Sequence, residues 1–149
     1  MRERRGFSLI ELLVVVVLIG ILVLLGFPRL QVALSKAGIR NAKSTLLTMY
    51  TRTKSVATES SRSAKLNFAG NVVYITASPR LNGGAGVDTV GQRMNLAGNY
   101  GVTLTVSTGA TSIDVDPRGL AGSSTTYLIL TRGGYRDSLT IAPFGRIIQ

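Results

Sequence analysis

The sequence contains no cysteine and no histidine. Without cysteine there is no disulfide and no thiolate nucleophile; without histidine, Ser-His-Asp triads and nearly all zinc sites are excluded as well. Acid is scarce too, with seven Asp and Glu among 149 residues, so paired-carboxylate chemistry has few candidates. The serines and threonines have no base to activate them. No enzyme, no cofactor and no metal ion is expected. What the chain has in excess is positive charge: seventeen Lys and Arg give a net charge of +10. That balance serves solubility and favours anionic partners, whether phospholipid, nucleic acid or an acidic protein face. The length is enough for one domain.

The charge is unevenly spread. Met1-Arg2-Glu3-Arg4-Arg5-Gly6 is polar, and the 21 residues from Phe7 to Phe27 contain one charge, Glu11. At 1.5 Å per residue this run spans roughly 31 Å, about the hydrocarbon thickness of a bilayer. It is longer than a usual signal-peptide core, and no clear Ala-x-Ala site follows it. Glu11 is the informative residue. A carboxylate in hydrocarbon costs on the order of 2.5–3.5 kcal/mol at mid-bilayer and less near an end. The sixteen residues after it are uncharged, so its partner must be another chain, water or a chain terminus. A cut after Gly6 would give Phe7 an α-ammonium one helical turn before Glu11, on this chain or on a neighbour.

Arg5-Gly6-Phe7-Ser8-Leu9-Ile10-Glu11-Leu12-Leu13-Val14 closely resembles the type III signal of type IV pilins and type II secretion pseudopilins. The resemblance implies that a prepilin peptidase cuts between Gly6 and Phe7 and methylates Phe7, and that Glu11 acts in assembly. Pro28 matches the helix-breaking proline common in that family. The resemblance also implies a cytoplasmic leader and a periplasmic body on a single inner-membrane span. Charge counting does not decide the orientation, because Arg2, Arg4 and Arg5 on one flank face Arg29, Lys36, Arg40 and Lys43 on the other.

From about Arg29 to Arg62 there is no proline beyond Pro28 and one glycine, Gly38. Ile39, Ala42, Leu46, Met49, Thr53 and Val56 recur at helical steps, which predicts an amphipathic stem packed on a sheet. Pro28 has no amide hydrogen to donate, so the Leu24 carbonyl loses its helical bond and a kink or local melting is expected at the junction. Arg29, Lys36, Arg40, Lys43 and Lys54 fall within a sector of about 60° that holds no acid. Such a stripe suits solvent and lipid head groups, an acidic neighbour or nucleic acid.

Period two begins near Lys65. Leu66 with Phe68, Val72 to Ile75, Val102 with Leu104 and Val106, Ile113 with Val115, Tyr127 to Thr131, and Ser138 to Ala142 read as strands. Arg132 to Asp137 reads as a hairpin turn. Ser78 to Asn99, with five glycines, reads as a long surface loop. Gly83-Gly84-Ala85-Gly86 lacks the Gly-Lys-Ser/Thr ending of a phosphate cradle. Asp114 and Asp116 precede Pro117-Arg118-Gly119 and read as turn formers rather than cation ligands.

Ile113 to Gly119 and Ser138 to Ile147 resemble the C-terminal domain of the GspH/FimT family of minor pseudopilins and minor pilins. Some FimT-like pilins bind DNA through a terminal Gly-Arg-x-Arg motif; Gly145-Arg146-Ile147-Ile148 lacks the second arginine. The expected fold is α+β, with a leader (1–6), a membrane or filament-core helix (7–28), a stem helix (29–64) and a β-rich domain (65–149). The expected function is that of a minor pseudopilin in a type II secretion filament. The alternative is a minor pilin of a type IV pilus or, less in keeping with the motif, a DNA-uptake pilin. Expected partners are prepilin peptidase, other pilins and inner-membrane lipid. Arg132, Tyr135, Arg136 and Arg146 are the candidate interaction surface.

Overall fold

The computed structural model describes residues 7–79 and 86–148. The chain divides into two compact units, residues 1–34 and 35–149. Helix α1 runs from Leu9 to Ser60 and has Pro28 in its interior. The helical backbone is unbroken at Pro28, so the turn does not melt. Its apolar part is the one helix among the described residues long and apolar enough to cross a membrane.

Within the second unit α1 buries Gly38, Ile39, Ala42, Leu46, Met49, Tyr50, Thr53 and Ala57. These fall at three- and four-residue steps, the spacing of one helical face. The expected stripe is there, widened by Gly38, Tyr50 and Ala57, with Val56 only partly buried at its edge. Gly38 sits where a side chain would collide with Arg132 and with the Tyr100 carbonyl. The helix stops at Ser61, which takes a left-handed φ of 50°, while the Arg62 amide bonds back to the Ala57 carbonyl at 3.1 Å.

The body is built from β1 (Ala64–Ala69), β2 (Val72–Ala77), β3 (Asp88–Asn95), a short helix α2 (Leu96–Tyr100), β4 (Thr103–Val106), β5 (Ser112–Val115), β6 (Thr126–Arg132), β7 (Tyr135–Ile141), a 3-10 turn (Pro143–Gly145) and β8 (Ile147–Ile148). Two antiparallel four-stranded sheets result, in the orders β3-β2-β1-β5 and β4-β6-β7-β8. Alternation puts Leu66 and Phe68 of β1, Leu128 and Leu130 of β6, and Leu139 and Ile141 of β7 inside. They meet the buried face of α1 in one hydrophobic core. Asn71 ties the sheets together: its carbonyl accepts from the Leu96 amide and its side chain from the Leu104 amide on β4, both at 2.9 Å.

Two expectations change. The stretch Ser78 to Asn99 is not one long loop: β3 and α2 occupy Asp88 to Tyr100, and β3 pairs with β2. Strand β3 is an edge strand exposed along most of its length, with a register shift opposite Val73 and Ile75, so it carries no apolar alternation to read. Arg80 and Gly83 to Ala85 lie outside the described residues. The hairpin turn is also tighter than the six residues expected. Arg132 pairs with Tyr135, leaving Gly133 and Gly134 as the loop, with φ of 53° and 82°. Positive φ at both central residues is what a type I′ turn needs, and two glycines meet it without steric cost.

Candidate assembly site and basic surface

The first unit is chemically plain. Every residue from Phe7 to Leu34 is exposed. Phe7 is 81% exposed and Leu9 opens the helix, with the Leu12 amide bonding to the Ser8 carbonyl at 3.2 Å. Glu11 lies in the first turn, where unpaired backbone amides concentrate positive potential and favour a carboxylate. Among the described residues Glu11 has no ion pair. Gly6, the expected cleavage position, lies outside the described residues.

The basic stripe does meet acid, from a strand 94 residues away. Lys43 donates to both oxygens of Asp137 on β7, at 3.0 and 3.1 Å. Lys36 stands over the ring of Tyr135, 5.2 Å from its centroid, a cation–π contact. Lys54 lies over the ring of Tyr50 and reaches the Gly145 carbonyl at 3.4 Å. Arg40 remains exposed. Helical periodicity placed these cations on one face; only the tertiary fold brings β7 and the Pro143–Gly145 turn against it.

The candidate surface does not form one patch. Arg132 donates to the Tyr100 carbonyl and packs beside Gly38. Arg136 is exposed near the hairpin tip. Arg146 belongs to the other end of β7, where the Ala142 amide bonds to the Arg146 carbonyl at 2.8 Å and Ile141 pairs with Ile147. Five residues of strand, roughly 16 Å, separate Arg136 from Ile141. Arg146 is therefore not close to the hairpin tip.

Asp116 acts as a turn former. Its Oδ1 accepts from the amides of Arg118 and Leu120 at 2.9 and 2.8 Å. Asp114 pairs with Lys65 at 3.0 Å. Among the described residues no cluster of acids could hold a metal ion. Tyr50 was not visible as special in the sequence. It is buried, its hydroxyl has no hydrogen-bond partner among the described residues, and burial pushes that hydroxyl above its ordinary pKa.

The described residues thus combine an apolar N-terminal helix, with Glu11 in its first turn, and a helix-on-sheet body. Residues 1–27 match the family described as the prokaryotic N-terminal methylation motif. The fold is that of the type IV minor pilin FimU of Pseudomonas aeruginosa (strain PAO1). In the P21 crystal form of that protein the TM-score is 0.61 at 14% identity, covering 76% of this chain and 88% of that one. In the P65 form it is 0.57 at 14% identity, covering 73% and 90%. No curated protein matches this chain in sequence.

Proposed function

We propose that this chain is a minor pilin of a type IV pilus, a structural subunit that acts by assembly and not by catalysis. One observation carries the reading: from Leu9 to Leu34 an almost wholly apolar helix is exposed on all sides. A helix apolar all round is stable only when something covers it. Bilayer lipid covers it first, in a single inner-membrane span with the body in the periplasm. The helices of neighbouring subunits cover it afterwards, in the filament. Prepilin peptidase cuts before Phe7, and the new ammonium pairs with Glu11 of a neighbour. A buried ion pair adds little net stability but fixes alignment well. The likeness to FimU favours the pilus over the secretion filament first expected.

The test has two parts. Mass spectrometry of the mature protein should find methylated Phe7 at the N-terminus; an intact Met1 would overturn the pilin reading. A deletion strain should lose surface motility and piliation while protein secretion and DNA uptake persist. Lost secretion with normal piliation would return the chain to the pseudopilins, and lost DNA uptake alone would make it an uptake pilin.

A further inference from the structure

A small cleft of about 210 Å³ lies between α1 and β7, lined by Lys36, Ile39, Arg40, Tyr135, Arg136 and Asp137. Lys36 and Arg40 are one helical turn apart on α1. The Tyr135 ring holds the Lys36 ammonium at the cleft, and Ile39 gives it an apolar wall. Asp137 is its one acid, and both of its oxygens are already taken by Lys43. Lys36, Arg40 and Arg136 thus have no acidic partner among the described residues. Clustered cations without acid repel one another, and a carboxylate placed among them relieves that repulsion. Two guanidinium groups can each grip it through two parallel hydrogen bonds.

The charge of the whole body limits who can supply that carboxylate. Residues 35–149 contain thirteen Lys and Arg against five Asp and Glu, a net charge of +8. All four aspartates are engaged at home: Asp88 with Arg62, Asp114 with Lys65, Asp137 with Lys43, and Asp116 with two backbone amides. Glu59 alone is left, so a second copy has little to offer and brings another +8 to repel. We infer that the cleft of Lys36, Arg40 and Arg136 receives an acidic face of a different pilin subunit, and that this chain is not its own lateral neighbour. The inference rests on the minor-pilin reading and names the partner's chemistry within it. Complementary charge of this kind selects the partner and suppresses wrong ones.

A water-soluble carbodiimide joins an ammonium to a carboxylate in direct contact, so it reads the occupant directly. Applied to isolated filaments containing the full chain, it should couple Lys36 to an Asp or Glu of another pilin, identified by peptide mass spectrometry. In the R40E/R136E variant that adduct should fall by about tenfold or more, because like charges now face each other. The variant's thermal melting, followed by circular dichroism, should match wild type. Coupling of Lys36 to an acid of another copy of this chain would overturn the inference. So would filaments that contain the chain and yield no adduct. If, in addition, Lys36 is shielded from an amine-reactive label in phosphatidylglycerol nanodiscs but not in phosphatidylcholine ones, the cleft belongs to lipid. A chain absent from filaments altogether would remove the minor-pilin reading and this inference together.

Discussion

From Leu9 to Leu34 helix α1 exposes every side chain, whereas from Gly38 to Ala57 it buries one at every third or fourth position or closer. The two stretches differ in content and in arrangement: the first is almost wholly apolar, and the second is mostly polar. The second confines its apolar residues to one face and leaves cations elsewhere, so two sheets of the same chain suffice to cover it. The first has Leu, Val and Ile on all sides, and no single surface could cover them. One helix thus carries two kinds of burial. The body completes its own core, while the N-terminal stretch is finished only by lipid or by other subunits. Stability of the fold and competence for assembly should therefore be separable by mutation.

The largest separation is expected at Glu11. Glu11→Ala should abolish incorporation into filaments, counted by immunoblot of sheared filaments, while cleavage, membrane insertion and the melting temperature of the body stay as in wild type. Normal incorporation would mean that Glu11 has no part in assembly. A pair of leucines reverses the pattern. Leu46 is fully buried, so Leu46→Ala should lower the body's stability by about 2–5 kcal/mol in urea unfolding. Leu18 is 54% exposed in this chain, and Leu18→Ala should change the same measurement by less than about 0.5 kcal/mol.

A smaller loss is expected at the turn after β5. Asp116→Ala leaves the Arg118 and Leu120 amides without their acceptor, which should cost about 1.5 kcal/mol by the same assay. The smallest effect at neutral pH belongs to Tyr50→Phe. The Tyr50 hydroxyl has no partner among the described residues, so its removal should leave stability unchanged or raise it by about 1 kcal/mol. The difference should grow with alkali. Burial raises the Tyr50 pKa in the folded state, so folding favours the protonated form. The stability this represents is intact below pH 10 and is lost as pH rises through the folded value. Phenylalanine cannot ionise, so the variant should lose less stability than wild type above pH 10. The Lys54 ammonium over the ring favours the phenolate in wild type only, and so opposes this difference.

The contrast within α1 was legible in the sequence because the first half is one continuous apolar run, whereas the second repeats its apolar residues at helical steps. The runs at Leu66, Leu104, Ile113, Tyr127 and Ser138 were legible for the same reason: one face of each strand is buried, and alternation records it. Strand β3 was not legible, since an edge exposed along most of Asp88 to Asn95 imposes no alternation. Helix α2 is a single turn, held by the Asn95 side chain on the Gly98 amide and a left-handed Gly101, too short for periodicity to register. At the candidate surface, spacing gathered Lys36, Arg40 and Lys43 on one face. It could not supply Asp137, nor reveal that Arg132 is occupied by the Tyr100 carbonyl and Arg146 removed to the far end of β7. Such partners depend on which strand returns to which helix, and local pattern does not record that.

The Gly133–Gly134 turn also sets a timetable. It closes β6 on β7 through seven consecutive residue pairs with a loop of two residues, so their union has almost no chain to bring together. Hairpins of this kind form in about 1–10 μs. The opposite margin of the body has no such shortcut: β5 reaches β1 only by closing the chain between Asn67 and Ser112. The β6–β7 ribbon should therefore be the early scaffold on which the rest condenses, and β5 a late arrival. Truncating Leu128 should slow refolding, whereas truncating Ile113 should chiefly speed unfolding.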